Sequence, residues 1–225
     1  MDGRISGLKT LIIPDVHQNI AKLKEILREP ADRRVFLGDW FDDFGDTPAA
    51  ARNTAAFLED LMLDPANTFL YGNHDIPYAF PQSRRLLCSG FTLEKCRVLA
   101  PYMEKIRAKF ILSIEVEGWL CSHAGFHPDY AQNIPAQCAA ALKILRDDPT
   151  AAPFLLRAGW SRGGDQEWGG CTWLDWNDEF QPVPGIKQLV GHTQGHEVRQ
   201  KGDNYCLDTR LSNFGIIEDG EFSWR

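Results

Sequence analysis

Short apolar runs alternate with helical patterns in the first third of the chain. The predicted strands cover 8–13, 35–37 and 68–71, and the predicted helices between them cover 20–27 and 47–63. Thr47 and Pro48 match an N-cap and a first-turn proline, which supports a helix start at that point. The series strand, helix, strand, helix, strand predicts an α/β fold with a parallel sheet.

The pattern becomes helical in the middle of the chain and strand-like towards its end. Helices broken by proline and glycine are predicted over 80–108, a hairpin over 110–122, and further helices over 135–146 and 151–156. Strands are predicted near 187–190, 197–199, 204–207, 215–217 and 221–224. We predict one domain over 1–225, with a helical insert at about 76–108 and a Trp/Gly-rich loop at about 160–184.

Composition excludes several classes of protein. With 44% hydrophobic and 24% charged residues among 225, the chain is not a disordered tail, a collagen or a coiled coil. The formal net charge of −7 gives no support for a double-stranded DNA partner, and oligomeric state stays open. Met1–Arg4 is not followed by an apolar signal region, and no long apolar run predicts a membrane span. We therefore expect a cytoplasmic protein whose six cysteines are reduced and mostly buried.

Polar clusters follow the predicted strands. The first three strands lead into Asp15-Val16-His17, Gly38-Asp39-Trp40-Phe41-Asp42 and Gly72-Asn73-His74-Asp75. Two later strands lead into His123-Ala124-Gly125 and Gly191-His192-Thr193. Because ligands bind at the carboxyl ends of parallel strands, we expect these clusters to meet in one crevice.

Converging carboxylates repel one another unless one is protonated or a cation lies between them. Asp15 and Asp39 come with neutral imidazoles and an amide rather than with flanking basic residues. Oxygen donors mixed with imidazole suit divalent Mn, Fe or Zn. Each residue alone has a more ordinary explanation as a turn residue, a core histidine or part of a solvated acidic loop. Together, their position after successive strands favours a metal site.

As a set, these motifs resemble those of the calcineurin-like metallophosphoesterase superfamily. The forms His-Ala-Gly and Gly-His-Thr are most similar to the bacterial phosphoprotein-phosphatase-like branch, which includes symmetrical diadenosine tetraphosphatases. The resemblance implies a four-layer α/β/β/α fold, in which two mixed sheets form a β-sandwich flanked by helices. It also implies two divalent metal ions, with Mn or Fe favoured and Zn or Mg possible. A hydroxide bridging the metals would hydrolyse a phosphoester or phosphoanhydride.

The resemblance also implies a role for each site residue. Asp15 and His17 would bind the first metal, Asp39 would bridge both, and Asn73, His123 and His192 would bind the second. His74 would be a general acid or a donor to a phosphate oxygen, and Asp42 would orient it.

Three positions depart from the family pattern. Asp43 and Tyr71 stand where phosphoprotein phosphatases carry phosphate-clamping arginines, and Gln194 stands where many members carry a further metal-binding histidine. Arg162 in the Trp/Gly-rich loop either contacts the phosphate of the substrate or only caps and solvates that loop. The missing arginines favour a small phosphorylated substrate, such as a nucleotide or dinucleoside polyphosphate, over a phosphopeptide.

Two other functions are weighed against this one. A Ser/Thr-type phosphoprotein phosphatase is the alternative within the same chemistry, and a non-catalytic protein-binding scaffold is the alternative outside it. A scaffold is expected to lose ligands or the catalytic histidine, whereas Asp39, Asn73 and His74 are all present.

A few residues outside the motifs have more than one interpretation. His127, before Pro128, is expected at the surface, and the glycines around His196 argue against a helical ligand pair with His192. Asp208 is either a partner of the site or a turn residue. The tryptophans of the long loop either stack on a base or cover an edge of the core, and they are Trp160, Trp168, Trp173 and Trp176.

Overall fold

The computed structural model describes residues 7–225, so the expectation for Met1–Arg4 lies outside the described residues. The strands are β1 (Lys9–Ile13), β2 (Arg33–Phe36), β3 (Asn67–Phe69), β4 (Ser113–Val116), β5 (Trp119–Ser122), β6 (Lys187–Val190), β7 (Arg199–Lys201), β8 (Asn204–Cys206), β9 (Gly215–Glu218) and β10 (Glu221–Trp224). The α-helices are α1 (Ile20–Ile26), α2 (Pro48–Leu61), α3 (Ile76–Ala79), α4 (Leu93–Leu99), α5 (Met103–Lys109) and α6 (Ile134–Asp147). Single 3-10 turns occur at Arg84–Leu86, Ala100–Tyr102, Pro128–Tyr130, Phe154–Leu156 and Trp160–Arg162.

The first sheet has the strand order β10-β9-β1-β2-β3. Strands β1, β2 and β3 run parallel, with Ile12 opposite Val35 and Val35 opposite Thr68. Strands β9 and β10 add an antiparallel hairpin at the β1 edge. The parallel arrangement predicted from the first three strands is therefore confirmed, and it brings their carboxyl ends to one edge.

The second sheet has the order β4-β5-β6-β8-β7. Strands β5, β6 and β8 are parallel, and β4 and β7 pair antiparallel at the two edges. The predicted hairpin is β4–β5, whose turn places Glu117 and Gly118 at φ 48° and 84°. Both residues of a two-residue I′ turn have positive φ, so glycine fits the second position well.

Alternating side chains pack the two sheets face to face. Ile12 points into the layer between the sheets, whereas its neighbours Leu11 and Ile13 join the core on the helical side. The layer between the sheets is formed by Ile12, Val35, Leu37, Leu70, Val116, Trp119, Cys121, Leu189, Leu207 and Ile217. The period of two along each strand thus separates two cores, as a half-buried pleated strand requires.

Helices and the long loop cover the outer faces. The helical side of the first sheet packs against buried residues of the helices, among them Leu23 of α1, Leu58 of α2 and Leu99 of α4. On the second sheet, α6 packs beside β4, and Trp176 and Phe180 of the long loop cover Val190. These observations confirm an α/β fold of two mixed sheets flanked by helices.

One element differs from its sequence prediction. The helix expected over 151–156 is only the 3-10 turn Phe154–Leu156, because Pro153 interrupts the segment and cannot donate a helical hydrogen bond.

The prediction that the cysteines are reduced and mostly buried agrees with the described part. All six cysteines are free, and four of them are buried. Within residues 7–225, none of the helices combines the length and apolar character that a membrane crossing requires.

Candidate metal centre

The predicted ligands meet where the two sheets present the carboxyl ends of their parallel strands. Asp15 and His17 follow β1, Asp39 follows β2, Asn73 follows β3, His123 follows β5 and His192 follows β6. The imidazole Nε2 atoms of His17 and His123 lie 3.5 and 3.4 Å from Asp39 Oδ2. Asn73 Oδ1 lies 3.0 Å from His123 Nε2 and 2.9 Å from His192 Nδ1. The structure therefore brings together side chains from five separate loops.

Left-handed backbone conformations aim these side chains inward. His17, Asp39, Asp42 and His192 have φ values of 40°, 50°, 65° and 67°. Each non-glycine residue in this region costs about 1–3 kcal/mol, and such residues persist only where the surrounding structure holds them. Their concentration at the ends of three strands marks this edge as the constrained part of the molecule.

Hydrogen bonds to the backbone fix the orientation of two histidines. His17 Nδ1 lies 2.7 Å from the carbonyl oxygen of Asp42, and His123 Nδ1 lies 2.8 Å from that of Leu37. A carbonyl only accepts, so each Nδ1 carries the proton and donates. In the neutral rings, each Nε2 then offers a lone pair to the centre, where it faces carboxylate or amide oxygens. Either a proton or a metal ion between these acceptors would relieve the repulsion, and a backbone contact of this kind is the usual support of a metal-binding histidine.

Two overlapping groups of side chains are suited to hold a metal ion. One contains Asp15, His17 and Asp39, and the other contains Asp39, His123 and His192, with candidate ligand atoms within 4.8 Å of one another in each. Asp39 belongs to both groups, and Asn73 Oδ1 adds an oxygen donor to the second. The donors present thus fit divalent metal ions, with a carboxylate placed between two candidate positions.

The carboxylates of the centre differ in their protonation. Burial raises the pKa of Asp15 to about 7, and the nearby Asp208 carboxylate adds to this effect. Burial would raise the pKa of Asp39 as well, but His123 and His74 outweigh it and hold that pKa below its usual range. Asp39 is therefore the carboxylate of the centre that favours the ionised form.

The pKa values of His123 and His192, the two histidines beside Asn73, shift in opposite directions. Burial alone would lower the pKa of His123, but the Asp39 and Asp15 carboxylates raise it to about 9. Burial lowers the pKa of His192 well below its usual value, and the charge on His123 adds to this effect. The pocket thus attracts positive charge near the carboxylates while it keeps His192 neutral, the form that binds metals.

His74 and Asp42 form a hydrogen-bonded pair beside the two groups. His74 Nδ1 lies 3.0 Å from Asp42 Oδ2, and the backbone N–H of His74 donates to Asp39 Oδ1 at 2.8 Å. Burial opposes charge on His74, but Asp39 and the hydrogen bond to Asp42 raise its pKa well above the usual value. A protonated His74 beside the two ligand groups has the position of a general acid or of a hydrogen-bond donor to a phosphate oxygen. Its role stays a prediction.

A buried lysine and a tyrosine hold the other side of Asp42. Lys95 Nζ lies 2.5 Å from Asp42 Oδ1, and the Tyr78 hydroxyl also donates to that oxygen. Lys95 is only 3% exposed and contacts Asp46 as well. The sequence analysis missed both partners, because α3 and α4 carry them in the insert at 76–108 and only the fold brings them to Asp42.

Two further carboxylates support the site. The Asp75 side chain accepts hydrogen bonds from the backbone N–H groups of Asp39, Trp40 and Gly72 and so ties the loops after β2 and β3 together. Asp208, which the sequence left open, is buried and acts electrostatically on Asp15. Burial also raises the pKa of Asp208 itself. Asp75 stood inside a quoted motif, but its role as a backbone acceptor is visible only in the structure.

The structure shows the surroundings of Arg162 and of Asp43 and Tyr71, the two positions that lack the family's arginines. Arg162 lies at the edge of the centre, where its guanidinium pairs with Asp175 at 2.6 Å and donates to Thr193 Oγ1 at 3.1 Å. Asp43 pairs with Arg210 at 3.2 Å, and Tyr71 is fully buried among aromatic rings. Arg162 therefore touches the loop that carries His192, and its contacts also anchor the Trp/Gly-rich loop.

The expectation that His127 lies at the surface is wrong. His127 is 2% exposed, and its ring stacks on that of Trp168 with 4.3 Å between the centroids. Trp168 is 41 residues further along the chain, so the neighbouring Pro128 gave no sign of this contact.

The tryptophans of the long loop lie in different environments. Trp176 covers the core, Trp160 is exposed, and Trp173 meets His192 edge-on at 5.6 Å between ring centroids. His196 lies in an irregular, exposed segment, so it forms no helical ligand pair.

Comparison with known proteins gives matches in structure only. No family model matches the sequence, and no curated protein matches it. A protein serine/threonine phosphatase from Saccharomyces cerevisiae with similarity to human phosphatase PP5 matches 96% of this chain and 74% of its own, with 13% identity and a TM-score of 0.53. A metallophosphoesterase from Sphaerobacter thermophilus matches 97% and 87%, with 17% identity and a TM-score of 0.49.

The yeast match extends over nearly the whole chain. At this identity the similarity concerns the fold. This chain has the calcineurin-like metallophosphoesterase fold.

Proposed function

We propose that the protein is a metal-dependent phosphoesterase that hydrolyses a phosphoester or phosphoanhydride. The observation that carries the proposal is the position of Asp39, which belongs to two adjacent ligand groups at the strand ends. His74 lies beside both groups and is hydrogen-bonded to Asp42. Paired metal positions that share a carboxylate are typical of phosphoryl transfer to water.

The donors favour particular metals. Carboxylate, amide and imidazole ligands together suit Mn or Fe, with Zn or Mg also acceptable. When bound, two such ions lower the pKa of water and neutralise negative charge on a phosphoryl group. Asp15 and His17 would hold the first ion, Asn73, His123 and His192 the second, and Asp39 both.

The chain's own acid is His74. Asp42 fixes the ring through Nδ1 and leaves Nε2 for an oxygen of the substrate. Asp39 and the hydrogen bond to Asp42 raise the pKa of His74, which favours the form of the ring that donates a proton or a hydrogen bond to the leaving oxygen. Asp42 keeps its own charge, because the hydrogen bonds from His74, Lys95 and Tyr78 outweigh burial and lower its pKa.

A substrate panel on Mn-loaded protein tests this function. The panel contains p-nitrophenyl phosphate, bis-p-nitrophenyl phosphate, diadenosine tetraphosphate and a phosphopeptide. We expect Mn-stimulated hydrolysis of at least one of them, and a loss of about 100-fold or more in Asp39→Asn and His74→Asn. Asp147→Asn, which changes an exposed carboxylate on α6, is the matched control and should keep wild-type rates.

Each outcome of the panel is informative. Full activity in His74→Asn contradicts the acid, and a chain that hydrolyses none of the four with Mn, Fe, Zn or Mg contradicts the function and favours the protein-binding scaffold. Hydrolysis of the phosphopeptide alone supports the Ser/Thr-type phosphoprotein phosphatase. The name of the yeast neighbour gives that alternative its support, whereas Asp43 and Tyr71 in place of two arginines weigh against it.

Four further expectations belong to the same proposal. Residues 1–225 are proposed as one domain, in which the insert and the Trp/Gly-rich loop set specificity. The partner is a small phosphorylated substrate or a phosphopeptide, and the location is the cytoplasm. An arginine contact from Arg162 to the substrate is checked by Arg162→Ala kinetics, where an unchanged rate and KM would exclude it.

A further inference from the structure

A groove of about 640 Å³ opens beside the metal-ligand groups. One wall carries Cys88, whose Sγ lies 3.5 Å from His74 Nδ1, and the other carries Trp173, whose ring meets His192 edge-on. The groove therefore begins at the proposed acid and at one proposed metal ligand. Its volume is in the range of sites for small molecules.

Guanidinium groups from three segments line this groove. Arg85 comes from the turn after α3, Arg157 from the segment after α6, and Arg162 from the Trp/Gly-rich loop. Arg162 is nearest the centre, since it contacts Thr193 beside His192. The carboxylates among them are Asp165 and Asp175, and Asp175 is already paired with Arg162.

Asp165 shows where an anion fits in this groove. Arg85 and Arg157 both donate to its carboxylate, one to each oxygen. Two guanidiniums from distant segments thus converge on one oxyanion, and guanidinium groups are well suited to bind phosphate. Asp165 itself is 55% exposed and follows Gly163-Gly164, so its carboxylate is not locked in place by burial.

We propose that this groove binds a second phosphate group of the substrate, and that Asp165 occupies its position in the free protein. The substrate class is then a small polyphosphorylated molecule, such as a nucleoside polyphosphate, whose scissile phosphate lies at the metal centre. This rests on the proposed phosphoesterase function. The groove also accounts for the two absent arginines. Asp43 and Tyr71 leave the scissile phosphate without those guanidinium contacts, and Arg85 and Arg157 supply cationic contacts to the second phosphate instead.

The groove favours a small molecule over a phosphopeptide. Its lining comes from the turn at 84–86 with the residues just after it, from 157–158 and from the loop at 160–165. An extended acidic peptide would have to continue past these segments. A polyphosphate chain instead places a second phosphate group inside the same groove.

Steady-state kinetics with adenosine triphosphate and p-nitrophenyl phosphate test the proposal. In Arg85→Gln and Arg157→Gln we expect KM for adenosine triphosphate to rise about tenfold or more relative to KM for p-nitrophenyl phosphate. Asp165→Asn should shift the same ratio in the opposite direction, because it releases both guanidiniums. Arg52→Gln, an exposed arginine on α2, is the matched control and should leave the ratio unchanged.

Calorimetric titration of inorganic tripolyphosphate into metal-free protein separates this proposal from the function itself. We expect binding in the wild type, weakening of about tenfold or more in the Arg85→Gln, Arg157→Gln double variant, and tightening in Asp165→Asn. If the double variant binds tripolyphosphate as tightly as the wild type does, the proposed phosphate site in the groove is overturned even if the enzyme is active. Binding that follows this pattern without any hydrolysis supports the groove and overturns the function. A double variant that loses activity towards an acidic phosphopeptide but not adenosine triphosphate overturns the substrate class.

Discussion

Two glycines next to the centre leave room for the carboxylates that bind there. A Cβ on Gly72 would collide with the carboxylate and backbone of Asp39, and a Cβ on Gly191 would collide with the carboxylate of Asp15. Neither glycine has a positive φ, so it is space and not backbone conformation that excludes a side chain. The position of each carboxylate therefore depends on a missing methyl group on the neighbouring strand end.

Gly72→Ala and Gly191→Ala should weaken metal binding. Each methyl would displace a proposed ligand, and we expect Mn affinity to fall about 10–100-fold by calorimetric titration. Gly118→Ala is the matched control, since its turn is open and only its φ of 84° opposes alanine. That control should lose about 1 kcal/mol of stability and keep its Mn affinity. Unchanged Mn affinity in Gly72→Ala would contradict the role of Asp39 as a ligand.

Sequence reasoning works well for residues that follow strands. Asp15, Asp39, Asn73, His123 and His192 were predicted to meet because the carboxyl ends of parallel strands share an edge, and they do meet. Their roles as ligands stay a prediction. Partners that reach the centre from helices were not predictable, because no local pattern links a position on a helix to an acid elsewhere in the chain.

At the scale of elements, the insert at 76–108 holds the carboxylate beside His74, the proposed acid. Helix α3 supplies Tyr78 and helix α4 supplies Lys95, and both bind the Asp42 carboxylate that orients His74. Helix α4 also packs on α2, which anchors the lysine to the main body of the fold. Loss of the lysine would leave a buried carboxylate with one fewer cation, a costly state.

Lys95→Met should therefore affect stability and turnover together. We expect a loss of about 3 kcal/mol in the free energy of unfolding and a fall in kcat with little change in KM. Lys105→Met on α5 removes an exposed pair with Glu59 and should cost under about 1 kcal/mol without changing kcat. Denaturant unfolding and steady-state kinetics measure both effects. If Lys95→Met loses this much stability but keeps the wild-type kcat, Lys95 has only a structural role.

The elements themselves were predictable to different degrees. Apolar periodicity identified the first three strands and α2, whereas the 151–156 segment, with Pro153 inside it, formed only one turn. The strand order of the second sheet was not predictable. Strand β6 pairs with β5 and β8 and not with the next strand β7, and this choice depends on packing between the two sheets.

At the scale of the whole molecule, metal binding should change stability. The formal charge of −7 includes the carboxylates of the centre, and two divalent ions would bring it to −7 + 4 = −3. A ligand that binds only the folded chain stabilises it by about 2.7 kcal/mol at 100 times its Kd. We expect EDTA to lower Tm and Mn to restore it, with no Mn effect in Asp39→Asn. A wild-type Tm that ignores both reagents would contradict a metal centre.

The separation of the ligands along the chain has a kinetic consequence. The backbone N–H of His192 donates to Asp15, and these two residues are 177 positions apart. Because closing so long a loop costs chain entropy, we expect this contact to form late in folding, after both sheets have paired. A metal ion held there should leave the refolding rate unchanged and slow the unfolding rate, because it stabilises contacts that are absent from the transition state. The lifetime of the native state, more than the speed of its formation, would then depend on metal supply.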